Sequence, residues 1–351
     1  MNVTHGDGAA AAYEPEQVWA PWSEQVLGWG NDFHELLLGD ELRMRAYRQA
    51  IAETVRPGDV VVDLGTGTGV LARWAIEAGA GRAYGIERDP ALLARAVAAA
   101  DAEGMGTRFV PVDGLSFDVT LPEPADLVVS EILGNLVDNE DCCRILDDAV
   151  RRFLAPGGRL LPRRAERYVV PVEARRAHAG VAALGSDAED AGDAEDAEVD
   201  RPFDAYYDVI LPRSGYLASP RLDRAFTFAD DPMSYRSDLV FAVDRPGRFT
   251  GFKGWFVADL SPTVALDISG DRIDGGRPGR TSSDSWKHAY LPIADPIDVE
   301  PHDRIVLSLA RAAPEGDGAP AFAQSYTWEG TVRRGDDVVA HFAQRSGGAA
   351  A

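Results

Sequence analysis

Cysteine is nearly absent from this chain of 351 residues, which has only Cys142 and Cys143. The two residues are adjacent in a segment with helical spacing, so they offer neither a disulfide framework nor the spacing of zinc ligands. We therefore expect two small buried side chains, a reducing compartment and no metal site.

Long apolar runs are also absent. No stretch reaches the roughly 18 apolar residues of a membrane-spanning helix. The first residues, MNVTHGDGAAAAYEPEQ, lack the basic end and the apolar core of a signal peptide. The sequence predicts a soluble, unexported, cytoplasmic protein with no membrane partner.

Positive charge is scarce, because 35 lysines and arginines stand against 57 aspartates and glutamates, for a formal net charge of −22. Such a chain has no basic face that would release counterions from phosphates, so direct nucleic-acid binding is not expected. A cationic partner fits better, although an acidic surface also keeps many proteins dispersed.

What the chain does contain is two successive patterns. From residue 60 to residue 162, short apolar strands alternate with helices, which is typical of parallel βαβ units. Strands are predicted at VVVDLG, AYGIER, RFVPVDG and DLVVSE, and helices at VLARWAIEAGA and PALLARAVAAADAEG. Beyond residue 162, glycine, proline and alternating β-branched or aromatic residues predict an antiparallel sandwich or barrel.

Three regions follow from these patterns: an N-terminal helical segment over 1–52, an α/β domain over 53–163 and a β domain over 164–351. Part of the first region has helical spacing, with an apolar stripe formed by Leu37, Leu38, Leu42, Tyr47, Ala50 and Ile51. The acidic stretch GSDAEDAGDAEDAEVD, residues 185–200, is too poor in large apolar residues to order itself, so we predict a flexible loop.

A glycine-rich turn joins the first predicted strand to the next helix in VVDLGTGTGVLARW, with Gly65, Gly67 and Gly69. Such a loop lets the backbone approach a ligand and points helix N-terminal amides at it. A dinucleotide fold would have its last glycine at position 70, where this chain has Val70. Glu87 ends the following strand, where a carboxylate can accept both ribose hydroxyls. The series favours S-adenosylmethionine, and the alternative is a glycine-rich turn of another α/β protein.

Two glutamates, Glu131 and Glu140, lie nine positions apart in DLVVSEILGNLVDNED. On one helix they would occupy opposite faces, about 13.5 Å apart along the axis. Gly134 and Asn135 permit a turn instead, with a helix that begins near Asp138, so both carboxylates can face one pocket. Paired carboxylates need a cation between them, and a planar guanidinium satisfies both. The alternative is a set of ordinary acids at a helix start and a strand end.

Taken together, these motifs resemble the class I S-adenosylmethionine-dependent methyltransferases. SEILGNLVDNE is similar to the double-glutamate loop of the protein arginine methyltransferases, especially the symmetrically dimethylating branch. FHELLLGDELRMRAYRQAI resembles that family's N-terminal helix, and GWFVADL with DSWKHAYLPI resembles its barrel strands and its threonine-histidine-tryptophan loop. The resemblance covers roughly residues 31 to 345. It implies an α/β + β fold, with a Rossmann-like methyltransferase domain followed by an antiparallel β-barrel-like domain.

The resemblance also implies the residues of the site. Arg43 would pair with the cofactor's carboxylate, and Glu131 and Glu140 would hold the substrate guanidinium as the catalytic pair. Trp286 and Ser285 would stand in the barrel loop that closes the arginine pocket. The full set of implied cofactor-binding residues is His34, Arg43, Asp63, Gly65, Gly67, Gly69, Glu87 and Asp113.

The chain departs from the family in two places. The region before Phe33, VWAPWSEQVLGWGND, has tryptophans in place of a tyrosine-rich signature, and Ser285 stands where most members have histidine. Both departures leave the acceptor and the methylation product open. Three of the implied residues also have structural alternatives, namely a surface position for His34, an ion pair with Asp40 for Arg43 and barrel packing for Trp286.

The implied function is methyl transfer from S-adenosyl-L-methionine to the guanidinium of a protein, a peptide or free arginine, with S-adenosyl-L-homocysteine as product. A small-molecule methyltransferase of a biosynthetic pathway and a non-catalytic arginine-methyltransferase-like scaffold remain as alternatives. The resemblance also implies a head-to-tail homodimer. Its arm is predicted over about residues 201–222, which contain aromatic residues of exposed character in VDRPFDAYYDVILPRSGYLASP.

Overall fold

The computed structural model describes residues 15–19, 38–189, 202–271, 283, 285–313 and 324–346, with the side chains of 185–189 left out. His34, most of the tryptophan-rich region before Phe33 and residues 190–200 of the acidic stretch lie outside the described residues. No helix within the described ranges is long and apolar enough to cross a membrane.

The described ranges contain five α-helices and sixteen strands. The helices are α1 (Glu41–Thr54), α2 (Val70–Glu77), α3 (Pro90–Ala102), α4 (Cys142–Phe153) and α5 (Arg175–Glu189). The first six strands are β1 (Val18–Trp19), β2 (Val60–Leu64), β3 (Arg82–Glu87), β4 (Phe109–Asp113), β5 (Ala125–Ser130) and β6 (Leu154–Leu161). The other ten are β7 (Arg164–Val172), β8 (Tyr207–Val209), β9 (Arg221–Phe226), β10 (Tyr235–Ala242), β11 (Gly247–Asp259), β12 (Ala265–Asp267), β13 (His288–Val299), β14 (Arg304–Ala312), β15 (Ser325–Arg334) and β16 (Asp337–Arg345).

The first part of the fold is a parallel sheet in the order β4-β3-β2-β5-β6. Its central strands are apolar and buried because helices cover the sheet, which confirms the predicted βαβ pattern. The chain leaves β2 for β3 on one side and later returns to β5 on the other. The carboxyl ends of β2, β3 and β5 therefore border the crevice where open α/β sheets bind ligands.

The N-terminal helix α1 packs on this sheet through Ala46, Tyr47, Ala50 and Ile51, which are all buried. The Tyr47 hydroxyl donates to the Ser130 carbonyl at 3.2 Å, and this bond ties α1 to the end of β5. The predicted apolar stripe is thus confirmed in its second half. It is wrong at Leu38, which precedes α1 and is 38% exposed.

The second part of the fold consists of two antiparallel sheets around one core. The larger sheet has the order β1-β8-β13-β11-β7-β9, with β12 paired to β11, and the smaller has the order β10-β14-β15-β16. β9 lies beside β10 and β13 beside β16, so the sheets wrap the core in a barrel-like arrangement. Large buried residues from both sheets fill the interior, among them Phe249, Phe252, Trp328 and Phe342. The predicted antiparallel β domain is confirmed.

Two predictions for the second part are wrong. Residues 185–189 were predicted as the start of a flexible loop but belong to α5. The segment before them, RRAHAGVAAL, is rich in alanine, which favours a helix. Exposed aromatic residues were also predicted in the dimer arm, but Tyr206 and Tyr207 are only 1% and 4% exposed. Tyr207 lies in β8, which pairs with β1 and β13, and Tyr206 packs edge-on against Tyr326, while Phe203 and Tyr216 are half-buried.

The barrel core allows a direct test at Trp328. Its indole is fully buried, and its Nε1–H donates to the Pro292 carbonyl at 2.6 Å. Trp328→Ala should lower the free energy of unfolding by about 3–5 kcal/mol, because a large cavity and an unpaired carbonyl remain. Denaturant unfolding measures the change. Val240→Ala, at a position 50% exposed, is the control and should stay within about 0.5 kcal/mol of the wild type. Small changes of equal size in the two variants would contradict the burial of Trp328 in the barrel core.

Candidate active site

A cavity of about 230 Å³ opens at the carboxyl ends of β2, β3 and β5. α1, the glycine-rich turn and the segment after β4 also contribute to its wall. Among the predicted site residues, the wall includes Arg43, Gly65, Gly67, Glu87 and Glu131. The structure therefore brings together residues that are up to 88 positions apart in the chain, from Arg43 to Glu131.

The glycine-rich turn adopts a conformation that other residues reach only with strain. Gly65, Gly67 and Gly69 have φ values of 72°, 52° and 74°. At Gly69, a Cβ would also lie 2.9 Å from the Cβ of Ala96 in α3. Gly65 and Gly67 line the cavity, whereas Gly69 allows α2 and α3 to pack closely and does not form part of the wall.

Asp63 lies behind this turn and not in the cavity wall. It is fully buried, and its Oδ2 accepts hydrogen bonds from Thr66 Oγ1 at 2.6 Å and from the Ala72 amide at 2.9 Å. Burial raises the pKa of this carboxyl to about 6. Asp63 thus fixes the shape of the turn from its buried side. The resemblance implied a direct contact between Asp63 and the cofactor instead.

Glu87 forms the opposite edge of the turn. Its Oε2 accepts from the Gly67 amide at 2.9 Å, and its Oε1 accepts from the amides of Arg88 and Asp89 at 2.9 and 3.0 Å. The carboxylate still faces the cavity, and Oε2 keeps capacity for a further donor. Glu87 is therefore well placed to accept a ribose hydroxyl.

Asp113 pairs with Glu87 across the β3–β4 register, but its side chain is exposed and is not part of the wall. The wall is formed by the residues after it, including Leu115 and Phe117. The predicted cofactor contact at Asp113 therefore stays a prediction, and the wall lies one to four positions after it, at residues 114–117. Met44 of α1 also lines the cavity and was missed, although its place one position after Arg43 could have indicated it.

Arg43 projects from the first turn of α1. The helix begins after Asp40, whose Oδ1 accepts from the Arg43 amide at 3.1 Å. The guanidinium forms an ion pair with Glu131, donates to Ser285 Oγ at 3.3 Å and lies 4.5 Å from the centre of the Trp286 ring. Burial lowers its pKa to about 10. Asp40 is therefore a helix cap for Arg43, not the ion-pair partner considered from the sequence.

The barrel loop that contains Ser285 and Trp286 closes over this arginine. The Asp40 carboxylate accepts from the Ser285 amide at 3.0 Å and from its hydroxyl at 2.7 Å. The Trp286 indole donates to the Leu133 carbonyl at 2.7 Å and packs edge-on against Phe256. Trp286 is thus both a packing residue and a wall of the arginine site, which combines the two alternatives.

The segment between the two glutamates folds back on itself, as predicted. Gly134 and Val137 exchange backbone hydrogen bonds of 3.1 and 2.9 Å, which close a tight turn after β5. The helix that follows begins at Cys142 and not near Asp138, because Asp141 has a φ of 60° that interrupts helical geometry. Cys142 and Cys143 are both buried in α4, as predicted.

Glu140 lies at the far end of this turn and is only 7% exposed. Burial raises the pKa of its carboxyl to about 8; Arg43 acts to lower it and Asp208 acts to raise it further. No hydrogen bond reaches this carboxylate from the residues that the structure describes. Glu131 and Glu140 therefore act on one cation, the Arg43 guanidinium, by an ion pair and by a longer-range attraction respectively.

Comparison with known proteins agrees with this geometry. Residues 61–158 match a family described as a methyltransferase domain. The chain is 34% identical over 142 residues to a probable protein arginine N-methyltransferase 6 of Arabidopsis thaliana, a match that covers 40% of this chain and 32% of that protein. It is 32% identical over 141 residues to protein arginine N-methyltransferase 6 of Danio rerio, with 40% of each chain covered. The matches thus span less than half of these relatives.

Solved structures share the fold over most of the chain. The Trypanosoma brucei PRMT1 enzyme–prozyme complex with AdoHcy gives a TM-score of 0.73 at 17% identity and covers 89% of this chain and 96% of that one. Protein arginine methyltransferase 10 of Arabidopsis thaliana gives 0.73 at 19% identity with the same coverage. The resemblance to arginine methyltransferases and the predicted fold are confirmed, while the likeness to the symmetric branch stays a prediction.

The glycine-rich turn provides a test of the cavity. Gly69→Ala adds strain and a close contact with Ala96, so it should lower the thermal unfolding temperature and weaken binding of S-adenosyl-L-homocysteine at least tenfold. Gly104→Ala is the control, since it also has a positive φ of 70° but meets nothing within 4 Å. Scanning calorimetry measures the unfolding temperature of each variant, and calorimetric titration measures its affinity. Equal affinities for the two variants would show that the turn does not shape the cofactor site.

Proposed function

We propose that this chain is an S-adenosyl-L-methionine-dependent methyltransferase that methylates an arginine guanidinium. The observation that carries the proposal is the position of the Arg43 guanidinium. It lies beside Glu131 and on the face of Trp286, and Glu140 attracts it electrostatically over a longer distance. Two carboxylates and an aromatic face are the groups that the acceptor guanidinium would also need. The match to a methyltransferase domain over residues 61–158 and the similarity to protein arginine N-methyltransferases support the proposal.

The cavity fits S-adenosyl-L-methionine, whose sulfonium supplies an electrophilic methyl group when it is bound. Glu87 would accept the ribose hydroxyls, and the backbone at Gly65 and Gly67 would approach the nucleoside. The apolar side chains of Leu115 and Phe117 suit the adenine ring. Arg43, which lines the cavity beside Glu131, would pair with the carboxylate of the amino-acid part.

The two glutamates make the acceptor guanidinium, which is a poor nucleophile, more reactive toward the methyl group. A guanidinium has a pKa above about 12 and little lone-pair density on its nitrogens. Glu131 and Glu140 draw its positive charge toward the nitrogens that they bind, which leaves the third nitrogen more nucleophilic. Alignment alone can contribute about 7 to 11 kcal/mol when the geometry is tight. We assign the departing proton to Glu140, because its buried carboxyl holds a proton more firmly than an ordinary glutamate does.

We further propose that the acceptor is arginine in a protein or peptide, or free arginine, and that the enzyme works in the cytoplasm. The net charge of −22 suits a basic acceptor.

We also propose a homodimer, as the resemblance implies. Tyr206 and Tyr207 are buried within the chain, so among the aromatic residues of the predicted arm the half-buried Phe203 and Tyr216 are the ones left to contribute to its interface.

Substitution of Glu131 and Glu140, which together form the glutamate clamp of the site, tests the proposed function. Glu131→Gln and Glu140→Gln should each lower kcat by about 10²-fold or more, because the charge that activates the guanidinium is lost. Methyl transfer to an arginine-glycine-rich peptide and to free arginine measures the effect. Glu77→Gln, at an exposed helical position, is the control and should keep wild-type turnover. Unchanged kcat in both clamp variants would contradict the mechanism.

The raised pKa of Glu140 predicts a pH dependence. At pH 7 the unliganded carboxyl is mostly protonated, since its pKa is about 8. A guanidinium binds the ionised form and lowers this pKa, so arginine binding at pH 7 should release a proton. Binding should tighten as the pH rises toward about 8 and then level off. Calorimetry in buffers of different ionisation enthalpy measures the proton, and its absence from Glu140→Gln would assign it. Proton uptake by the wild type would refute the assignment.

A further inference from the structure

The backbone on both sides of Glu140 is held in a strained form. Val137 and Asp141 have φ values of 72° and 60°. A left-handed conformation is unusual for any residue with a Cβ, and it is an outlier for a β-branched residue such as Val137. Such strain persists only where the surroundings impose it. Within the turn, Val137 is held by its hydrogen bonds with Gly134, and contacts from the barrel hold the residues beside it.

Arg311 of β14 spans the strained turn from its first aspartate to its last. Its guanidinium donates to the Asp138 carbonyl at 3.3 Å and to Asp141 Oδ1 at 2.9 Å. The Nε also lies 3.4 Å from Asp138 Oδ2, and a further nitrogen donates to the Met233 carbonyl. Because the guanidinium is planar, these contacts fix the two ends of the turn relative to β14.

Asp138 is held from other barrel strands as well. Its Oδ1 accepts from Arg167 of β7 at 3.0 Å and from the Tyr326 hydroxyl of β15 at 2.8 Å. The Tyr235 hydroxyl of β10 donates to Oδ2. Arg167 is itself neutralised by Asp223, which it contacts at 2.6 Å through Nε. The charge on Asp138 is therefore fully engaged on the barrel side.

Glu140 differs from the aspartates around it. Asp138 and Asp141 pair with buried arginines, whereas in the part of the chain that the structure describes no hydrogen bond reaches Glu140. The barrel contacts thus engage both aspartates that flank Glu140, while the described contacts of Glu140 itself are longer-range interactions, chiefly with Arg43 and Asp208. None of the contacts of Arg311 within the described ranges reaches the cavity wall or Glu140, so its influence on Glu140 passes through the turn.

We infer that Arg311 is a positioning residue for methyl transfer: by holding Asp138 and Asp141, it keeps Glu140 aimed at the acceptor guanidinium. The inference rests on the proposed arginine methyl transfer. It assigns to the barrel a part in the chemistry beyond closing the acceptor pocket, since a strand of the β domain sets the geometry of a carboxylate that follows the parallel sheet.

Arg311→Lys tests the inference, because lysine keeps the charge and loses the planar fork. We expect kcat to fall on the order of tenfold or more, since small displacements of reacting groups have large effects on rate. Affinity for S-adenosyl-L-homocysteine should stay within about twofold, because β14 takes no part in the cavity wall. Arg334→Lys is the control for the loss of a planar fork, as Arg334 makes a two-bond pair with Asp303 at a more exposed place in the barrel. It should keep wild-type kcat.

A double-mutant cycle separates positioning from general destabilisation. In the Glu140→Gln background, Arg311→Lys should change kcat by less than about twofold, because the carboxylate that it positions is already gone. A merely structural role for Arg311 would lower kcat by the same factor in both backgrounds, and that result would overturn the inference.

Hydrogen exchange gives a readout that does not depend on activity. In Arg311→Lys, amides of residues 134–141 should exchange at least tenfold faster, while those of residues 61–69 should not change. If Arg311→Lys does not fold, Asp141→Asn provides the second variant with the same expected pattern. Unchanged exchange over 134–141 would overturn the inference. Wild-type protein that makes no methylarginine would refute the proposed function instead. The exchange result would still decide whether Arg311 holds the turn over residues 134–141.

Discussion

The ion pair between Arg43 and Glu131 is the interaction on which the site depends. It joins α1 to the end of β5, and the barrel loop closes on it through Ser285 and Trp286. Both parts of the fold and the N-terminal helix therefore meet at one buried guanidinium. Because an unpaired buried charge is costly, removal of Glu131 would leave Arg43 without its main partner and disturb the cofactor side as well as the acceptor side.

Local features of the sequence were sufficient to predict the parallel sheet and the cofactor turn. Strand, glycine turn and helix follow within fourteen residues of one another, and the spacing of Gly65, Gly67 and Gly69 with Glu87 has a direct geometric meaning. The turn between Glu131 and Glu140 was also predictable, since Gly134 and Asn135 break the apolar strand. In each case the signal and the structure involve neighbours in the chain.

Contacts between distant parts of the chain could not be predicted in this way. Arg311 lies 170 positions from Asp141, and nothing in the sequence RIVLSLAR identifies its partner. The same limit explains the wrong expectation of exposed tyrosines at 206 and 207, since Tyr207 pairs with Tyr290 of β13 and Tyr206 packs against Tyr326 of β15, both far along the chain. Asp63 is an intermediate case, because the motif located it correctly but did not show that it faces the turn and not the cavity.

The central claim is that the two glutamates activate a guanidinium for methyl transfer. The most direct measurement is a transfer assay with labelled S-adenosyl-L-methionine on free arginine, an arginine-glycine-rich peptide and an unlabelled lysate, followed by hydrolysis and identification of the labelled amino acid. The account predicts methylarginine from at least one acceptor. Label on another amino acid, or no label from protein that demonstrably binds the cofactor, would contradict it.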